Sequence, residues 1–225
     1  MLYPPGLPPR QRLDHYLRRY RTVELNASYY RWPTDSAFGY WRQKLPPDFV
    51  LAVKAPRGLT HQRRLYGPEA WVERIYRGLG RLAPIRRVLL VQLSPLFEID
   101  LPRLDYFLGR VPPDLQVAVE MRHPSWHQEP TFELLERRRA AYCVMSGAGL
   151  PCVLRATTST VYVRLHGPDQ GALYGGSYGE NDLRWWAERT REWEDQGREV
   201  FVFFNNDGGG NAVRNADRLR ELLGR

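Results

Sequence analysis

Seven short segments rich in branched and aromatic residues recur along this chain, and stretches with helical character lie between most of them. The segments are TVELN (22–26), FVLAVKA (49–55), RVLLVQL (87–93), LQVAVEM (115–121), AYCVMS (141–146), TVYVRLH (160–166) and EVFVFFNN (199–206). Their starts lie 19 to 39 residues apart, the period of βα units. Helix formers at three-to-four spacing fill Ser36 to Leu45, Pro68 to Leu82, Leu101 to Val111, Thr131 to Ala141, Asn181 to Gln196 and Ala212 to Leu223. Pro68 suits a first helical turn, and Asn181 or Asp182 suits an N-cap. Such alternation predicts a parallel sheet. No Pro/Gly/Ser-rich linker divides the chain, so residues 1–225 are expected to form a single domain.

Two parallel architectures compete, the open doubly wound sheet and the closed (β/α) barrel. A nucleotide-binding sheet should carry a glycine-rich turn after an early strand, and none of the first four segments has one. Gly208-Gly209-Gly210 follows the last segment instead. There it suits either a phosphate at a helix N-terminus or a tight turn into the final helix.

The polar residues favour the barrel. Each segment is apolar over its first half, as a strand buried on both faces should be, and then turns polar. Glu24 and Asn26 alternate with Val23 and Leu25; Lys54 ends LAVK and Gln92 ends LLVQ; Glu120 and Arg122 close AVEMR. Arg164 and His166 alternate with Val163 and Leu165, and Asn205 and Asp207 with Phe204. With a period of two, each set points to one face. A closed barrel gathers such strand ends at one mouth, where active sites of that architecture are built. Burying unpaired charges costs several kcal/mol, so these groups must pair or face water and ligand. An ion-pair plug, with Glu24 and Glu120 neutralising Lys54, Arg122 and Arg164, is the structural alternative to a site.

Composition narrows the class. The chain is 43% apolar and 26% charged, which allows a sizeable core and excludes collagen, coiled coil and low-complexity disorder. No apolar run approaches the roughly 20 residues of a membrane span, so a cytoplasmic protein without membrane contact is expected. Cys143 and Cys152 form neither a disulfide framework nor a metal knuckle and are expected to be free thiols. The net charge of +8 invites a nucleic-acid partner. Yet 31 of the 33 basic residues are arginine, and they are scattered, the densest groups being Arg63-Arg64, Arg86-Arg87 and Arg137-Arg138-Arg139. The last of these reads as a solvated helix face.

The strings ELNASYYRWP (24–33), VKAPRGLTH (53–61), VQLSP (91–95), VEMRHPSW (119–126), YVRLHG (162–167) and FNNDGGGNAVRNA (204–216) resemble the domain of unknown function 72 (YecE-like) family. They occur in the family's order and cover almost the whole chain. The resemblance implies an α/β fold, a TIM-like (β/α) barrel, and no settled activity. It adds Tyr30, Thr60, His61, His123, Trp126 and Asn206 to the strand-end residues as family-characteristic positions. Family members usually begin with a strand carrying a Gly-Thr-Ser-Gly-Trp-like segment. Here YPPGLPP stands in its place and seven strands are recognisable, so either the start was assigned downstream of the family's usual one or a barrel lacking the usual first strand is expected. Ser146 stands where an acidic residue is expected.

Lys54, Arg122 and Arg164 on separate strands suit a phosphate or carboxylate. Glu120 is the first choice for general acid or base and His166 the second, unless His166 is bonded to a strand-end carbonyl. Lys54 is the third catalytic candidate, either as a Schiff-base amine or as an ionised electrostatic partner. Substrate binding is expected from Glu24, Asn26, Tyr30, His61, Gln92, Arg122, His123, Trp126, Arg164, Asn205, Asn206 and Asp207. The glycine-rich loop 167–180, long enough for a lid, adds Tyr178. His61, His123, His166, Glu24, Glu120 and Asp207 are of metal-ligand type, but no HxH or HxxE spacing accompanies them, and neither a metal nor a cofactor is assigned. Trp185, Trp186 and Trp193 read as packing residues.

The leading expectation is an enzyme acting by acid–base chemistry on a small anionic, phosphorylated or sugar-like, substrate. The alternatives are a nucleic-acid-binding or repair protein resembling apurinic-endonuclease-type barrels, and a non-catalytic anion sensor. No oligomeric state is implied.

Overall fold

A computed structural model describes residues 2–225. Two compact units make up the chain, one of Leu7–Ala140 and one of Ala141–Arg225 with the residues up to Gly6.

In the first unit, strands β1 (Thr22–Leu25), β2 (Val50–Lys54), β3 (Arg86–Gln92) and β4 (Gln116–Glu120) pair in parallel in chain order. Helices α1 (Pro9–Leu17), α2 (Asp35–Lys44), α3 (Glu69–Gly80), α4 (Leu101–Arg110) and α5 (Glu129–Arg137) surround this order. The apolar halves of β2, β3 and β4 are buried, as their unbroken Val/Leu/Ala runs require. Val72, Ile75 and Leu79 of α3 and Leu104, Phe107 and Leu108 of α4 form the buried stripes of amphipathic helices. Side-chain oxygens start two of these helices. Thr34 accepts from the Ala37 amide at 3.3 Å and Asp100 from the Arg103 amide at 3.0 Å. Pro68 is the N-cap of α3, one residue before the first turn.

In the second unit, β5 (Ala141–Ser146), β6 (Thr160–Leu165) and β7 (Glu199–Phe204) pair in parallel. Helix α6 (Glu180–Asp195) joins β6 to β7, and α7 (Asn211–Leu222) closes the chain, whereas residues 147–159 between β5 and β6 hold no helix. The N-cap of α6 is Gly179 and not Asn181 or Asp182. Asp182 instead sits at the third helical position, where its carboxylate accepts the Gly179 amide at 3.0 Å. Trp186 and Trp193 are buried, while Trp185 lies outside with the Arg189 guanidinium 5.6 Å from its ring.

Seven parallel strands with helices between them make a TIM-like α/β fold. Strand order follows chain order within each unit, so each functional strand tip carries its own following loop. Both cysteines are free, and no helix among the described residues is long and apolar enough to cross a membrane.

Candidate functional site

The site in the Leu7–Ala140 unit starts from the strand ends. Lys54, Gln92 and Glu120 are the last residues of β2, β3 and β4, and the register sets Gln92 opposite Glu120. After β1 the chain enters a 3-10 turn, Ala27–Tyr29, capped by Asn26. The Ser28 hydroxyl ties this turn down, lying 2.8 Å from the Leu25 carbonyl and 2.7 Å from that of Lys54. Tyr29 is thereby set under the Lys54 ammonium, 4.5 Å from ring centroid to Nζ. Tyr30 points away and is 81% exposed, its ring meeting Tyr29 edge-on at 4.9 Å. Asn26 donates to the Glu24 carboxylate at 3.1 Å.

After β2, a π-helical turn at Gly58–Gln62 carries His61 back over Tyr29, the two rings 5.1 Å apart. Glycine is required at position 58, because a Cβ there would stand 2.5 and 2.7 Å from the Trp71 indole. The Thr60 hydroxyl meets His61 Nδ1 at 2.9 Å and the Pro56 carbonyl at 3.3 Å. If Thr60 donates to the carbonyl, Nδ1–H donates to Thr60 and Nε2 keeps its lone pair.

The charges around His61 are mostly positive. Burial, then Lys54, Arg57 and Arg122, lower its pKa to about 4, with Glu120 opposing them. The imidazole is therefore neutral at pH 7 amid three cations and one carboxylate. Glu120 is fully buried and pairs with the Arg122 Nε, which is also buried. This pair is one part of the expected ion-pair plug.

Two sequence-named residues of this unit make structural contacts. Trp126 is fully buried, packs edge-on against Phe97 at 5.4 Å and donates its indole N–H to the Phe97 carbonyl at 2.7 Å. It pins the loop after β3 to the loop after β4, and no surface of it is left for a substrate. His123 Nδ1 lies 3.2 Å from the Ser125 amide and 2.8 Å from its hydroxyl, and so caps the 3-10 turn Pro124–Trp126.

A second polar group lies in the Ala141–Arg225 unit. Arg164 is next to last in β6, and His166 follows that strand with its amide bonded to the Ser146 carbonyl at 2.7 Å. Both are buried, and the His166 ring meets Tyr174 edge-on at 5.2 Å. Tyr178 is buried as well, its hydroxyl accepting the Gly167 amide at 3.0 Å and lying 3.2 Å from the Ser146 hydroxyl. Burial pushes its pKa up. Asn206 donates to the Gly176 carbonyl at 3.0 Å and to Asn215 Oδ1 at 2.9 Å, and Asn215 also accepts the Tyr178 amide at 3.2 Å. Tyr178 and Asn206 thus fasten Gly176–Tyr178 to β7 and α7, which limits any lid movement to the first half of the 167–180 loop.

Asn205 continues the ladder, its amide bonded to the Leu165 carbonyl at 2.8 Å, and Asp207 is exposed at the following turn. Gly209 and Gly210, at φ 62° and 77°, make that turn tight and left-handed at the start of α7.

Three contributors went unnamed as site residues in the sequence: Tyr29, Arg57 and Asn215. Arg57 could have been found from its place three residues after Lys54 in KAPRG. Asn215 lies on a helix and carries no signal of its kind.

The chain matches the model of the family described as "Protein of unknown function DUF72" over residues 1–225. It is 29% identical to the UPF0759 protein YunF of Bacillus subtilis (strain 168), over 99% of this chain and 90% of that protein. It is 30% identical to the UPF0759 protein YecE of Escherichia coli (strain K12), over 51% of this chain and 42% of that protein. Among solved structures, a DUF72 family protein from Thermotoga maritima MSB8 superimposes with a TM-score of 0.90 at 30% identity, covering 100% of this chain and 94% of that one. A DUF72 family protein from Enterococcus faecalis V583 does so with a TM-score of 0.86 at 21% identity, over 95% of this chain and 88% of that one.

Proposed function

We propose that this chain, which belongs to the DUF72 family, is an enzyme that acts by acid–base chemistry on a small anionic, phosphorylated or sugar-like, substrate at its strand C-terminal ends. The observation that carries this reading is a His61 that sits over the Tyr29 ring beneath Lys54 and is held neutral by burial and by the charges of Lys54, Arg57 and Arg122, with Glu120 the one carboxylate among the described residues that opposes them. An anion entering there meets fixed positive charge in a partly desolvated place, where charge-assisted hydrogen bonds are strongest. The reading takes residues 1–225 as one domain.

Arg122 links binding to chemistry. Its guanidinium is held by Glu120 in the unliganded chain and offers a planar donor fork to a phosphate or carboxylate. A substrate anion that draws Arg122 toward itself loosens the pair and frees Glu120 to exchange a proton. Lys54, its Nζ over the Tyr29 ring, supplies electrostatic binding. The neutral His61 accepts a hydrogen bond from a substrate hydroxyl at Nε2. His166 remains the second acid–base candidate, in the other unit.

The test starts with thermal stabilisation of the purified chain by a panel of sugar phosphates and small carboxylates. A stabilising compound should lose about tenfold or more in affinity with Lys54→Ala or Arg57→Ala. Turnover of that compound should vanish in Glu120→Gln while binding and the circular dichroism spectrum persist. Undiminished turnover in Glu120→Gln removes Glu120 from the chemistry and leaves the non-catalytic sensor as the better reading. The exposed ring of Tyr30, edge-on to Tyr29, favours one second reading, stacking on a nucleic-acid base. That reading predicts oligonucleotide binding that Tyr30→Ala weakens and salt abolishes.

A further inference from the structure

A cleft of about 340 Å³ lies at the opposite end of β4 from Glu120, between the end of α4 and the end of α5. Leu108, Val111, Leu115 and Val117 supply its apolar surface, and Arg137, Arg138 and Arg139 supply its rim. The three arginines are not equivalent. Arg138 is committed to Asp105 through two bonds of 2.7 and 2.9 Å, and its guanidinium would lie 3.3–3.4 Å from a Cβ at Gly109. It is a fixed wall. Neither Arg137 nor Arg139 has an ion pair or side-chain hydrogen bond among the described residues.

Arg139 is also conformationally out of place. It stands just past the end of α5 at φ 52°, in the slot that closes a helix with left-handed backbone. Its amide bonds the Glu136 carbonyl at 3.1 Å, and the Ala140 amide bonds that of Leu135 at 2.9 Å. Glycine fills such a slot without steric cost, and a branched-out cation does not. The negative end of the helix accounts for Arg137 in the last turn but calls for no arginine in this conformation.

We propose that this cleft is a second binding site, taking a small amphiphilic anion whose carboxylate or sulfonate head sits on Arg137 and Arg139 and whose compact apolar body sits on Leu108, Val111, Leu115 and Val117. The site shares no residue with the Lys54–His61–Glu120 cluster and stands independently of the function proposed for it. An apolar floor excludes a fully hydrated ion as the best ligand, and two guanidinium groups that make no hydrogen bond among the described residues, of which Arg137 acts on Asp105 through its charge alone, disfavour a neutral one.

Isothermal titration of the full chain with 1-naphthoate tests this, alongside 1-naphthamide, which lacks the charge, and acetate, which lacks the apolar body. Saturable binding of 1-naphthoate at one site is expected, with both controls weaker by about tenfold or more. The R137A/R139A double variant should lose about tenfold or more in naphthoate affinity. Arg139→Gly separates binding from folding, because glycine keeps the left-handed backbone. It should weaken naphthoate while leaving the melting temperature unchanged or higher. No saturable binding, equal binding of the amide, or unaltered affinity in R137A/R139A and Arg139→Gly would overturn the proposal. In the last case the naphthoate occupies another cationic site.

Discussion

His61 couples folding to pH in a direction its surroundings fix. Burial and the charges of Lys54, Arg57 and Arg122 hold its pKa at about 4, below the ordinary 6.5, with Glu120 opposing and the Tyr29 ring covering one side. Between those two pH values the unfolded chain binds a proton that the folded chain refuses. Stability is therefore complete above about pH 6.5 and declines as the pH falls toward 4. For a half-buried, solvent-screened ring the loss is about 1–2 kcal/mol. Urea unfolding at pH 7 and pH 4.5 measures it, and His61→Gln should make the difference smaller by that amount. The same linkage reaches the ligand. An anion that neutralises Lys54, Arg57 and Arg122 raises the His61 pKa, so the complex takes up a proton between pH 4 and 6.5. Affinity for a ligand whose own charge is constant across that window, such as a sulfonate, should rise as the pH falls through it, and calorimetry in two buffers of different ionisation heat should register the proton. An affinity flat across the window would place the anion elsewhere.

At the scale of elements, strand positions were plain in the sequence and turn positions were not. All seven apolar runs are strands within one or two residues of their ends, because Val, Leu and Phe in succession have few other places to go. Lys54, Gln92 and Glu120 terminate their strands because the period of two holds that far. It fails one residue later. The 3-10 turn at Ala27–Tyr29 resets the direction of every side chain, so Tyr29 faces Lys54 and Tyr30 faces solvent. Trp126 reads as a ligand-facing aromatic until the backbone shows its N–H satisfied by Phe97. Asn215 reads as a helix-surface residue until the loop it holds is folded against it. The turn that delivers His61 is equally silent in sequence, yet it depends on one residue. Gly58→Ala would drive a methyl into the Trp71 ring, costing about 1–3 kcal/mol of stability. Trp71→Leu in the same chain makes room, so the double variant should recover about 1 kcal/mol relative to the sum of the single changes. Additive losses in denaturant melts would mean that the turn is shaped by something other than that contact.

Across the whole molecule, 33 basic and 25 acidic residues leave a net charge of +8, and several of the arginines are paired where they stand. Arg21 pairs with Asp48, Arg81 with Asp35, Arg87 with Asp114, Arg218 with Glu180 and Arg225 with Glu194, at 2.6–3.3 Å. Exposed pairs of this kind add about 0–1 kcal/mol each to stability, but they take arginines out of contention for a long polyanion. A nucleic-acid reader instead needs unpaired cations along a continuous track. The charges of Lys54, Arg57 and Arg122 all act on the half-buried, neutral His61, and under the proposed function they serve a single small anion. The two partners therefore separate in salt. Oligonucleotide binding through the dispersed surface charge should be weak, should fall by about tenfold or more between 50 and 200 mM salt, and should ignore Arg122→Ala. Stabilisation by a small phosphorylated ligand should survive that salt range, because a partly buried pair is screened less, and should disappear with Arg122→Ala. Fluorescence anisotropy with a labelled single strand and thermal melts with the small ligand give the two salt profiles. If Arg122→Ala instead abolishes oligonucleotide binding and leaves the small-ligand stabilisation intact, the cations at the strand ends serve a polyanion and the acid–base reading of Glu120 falls with the small substrate.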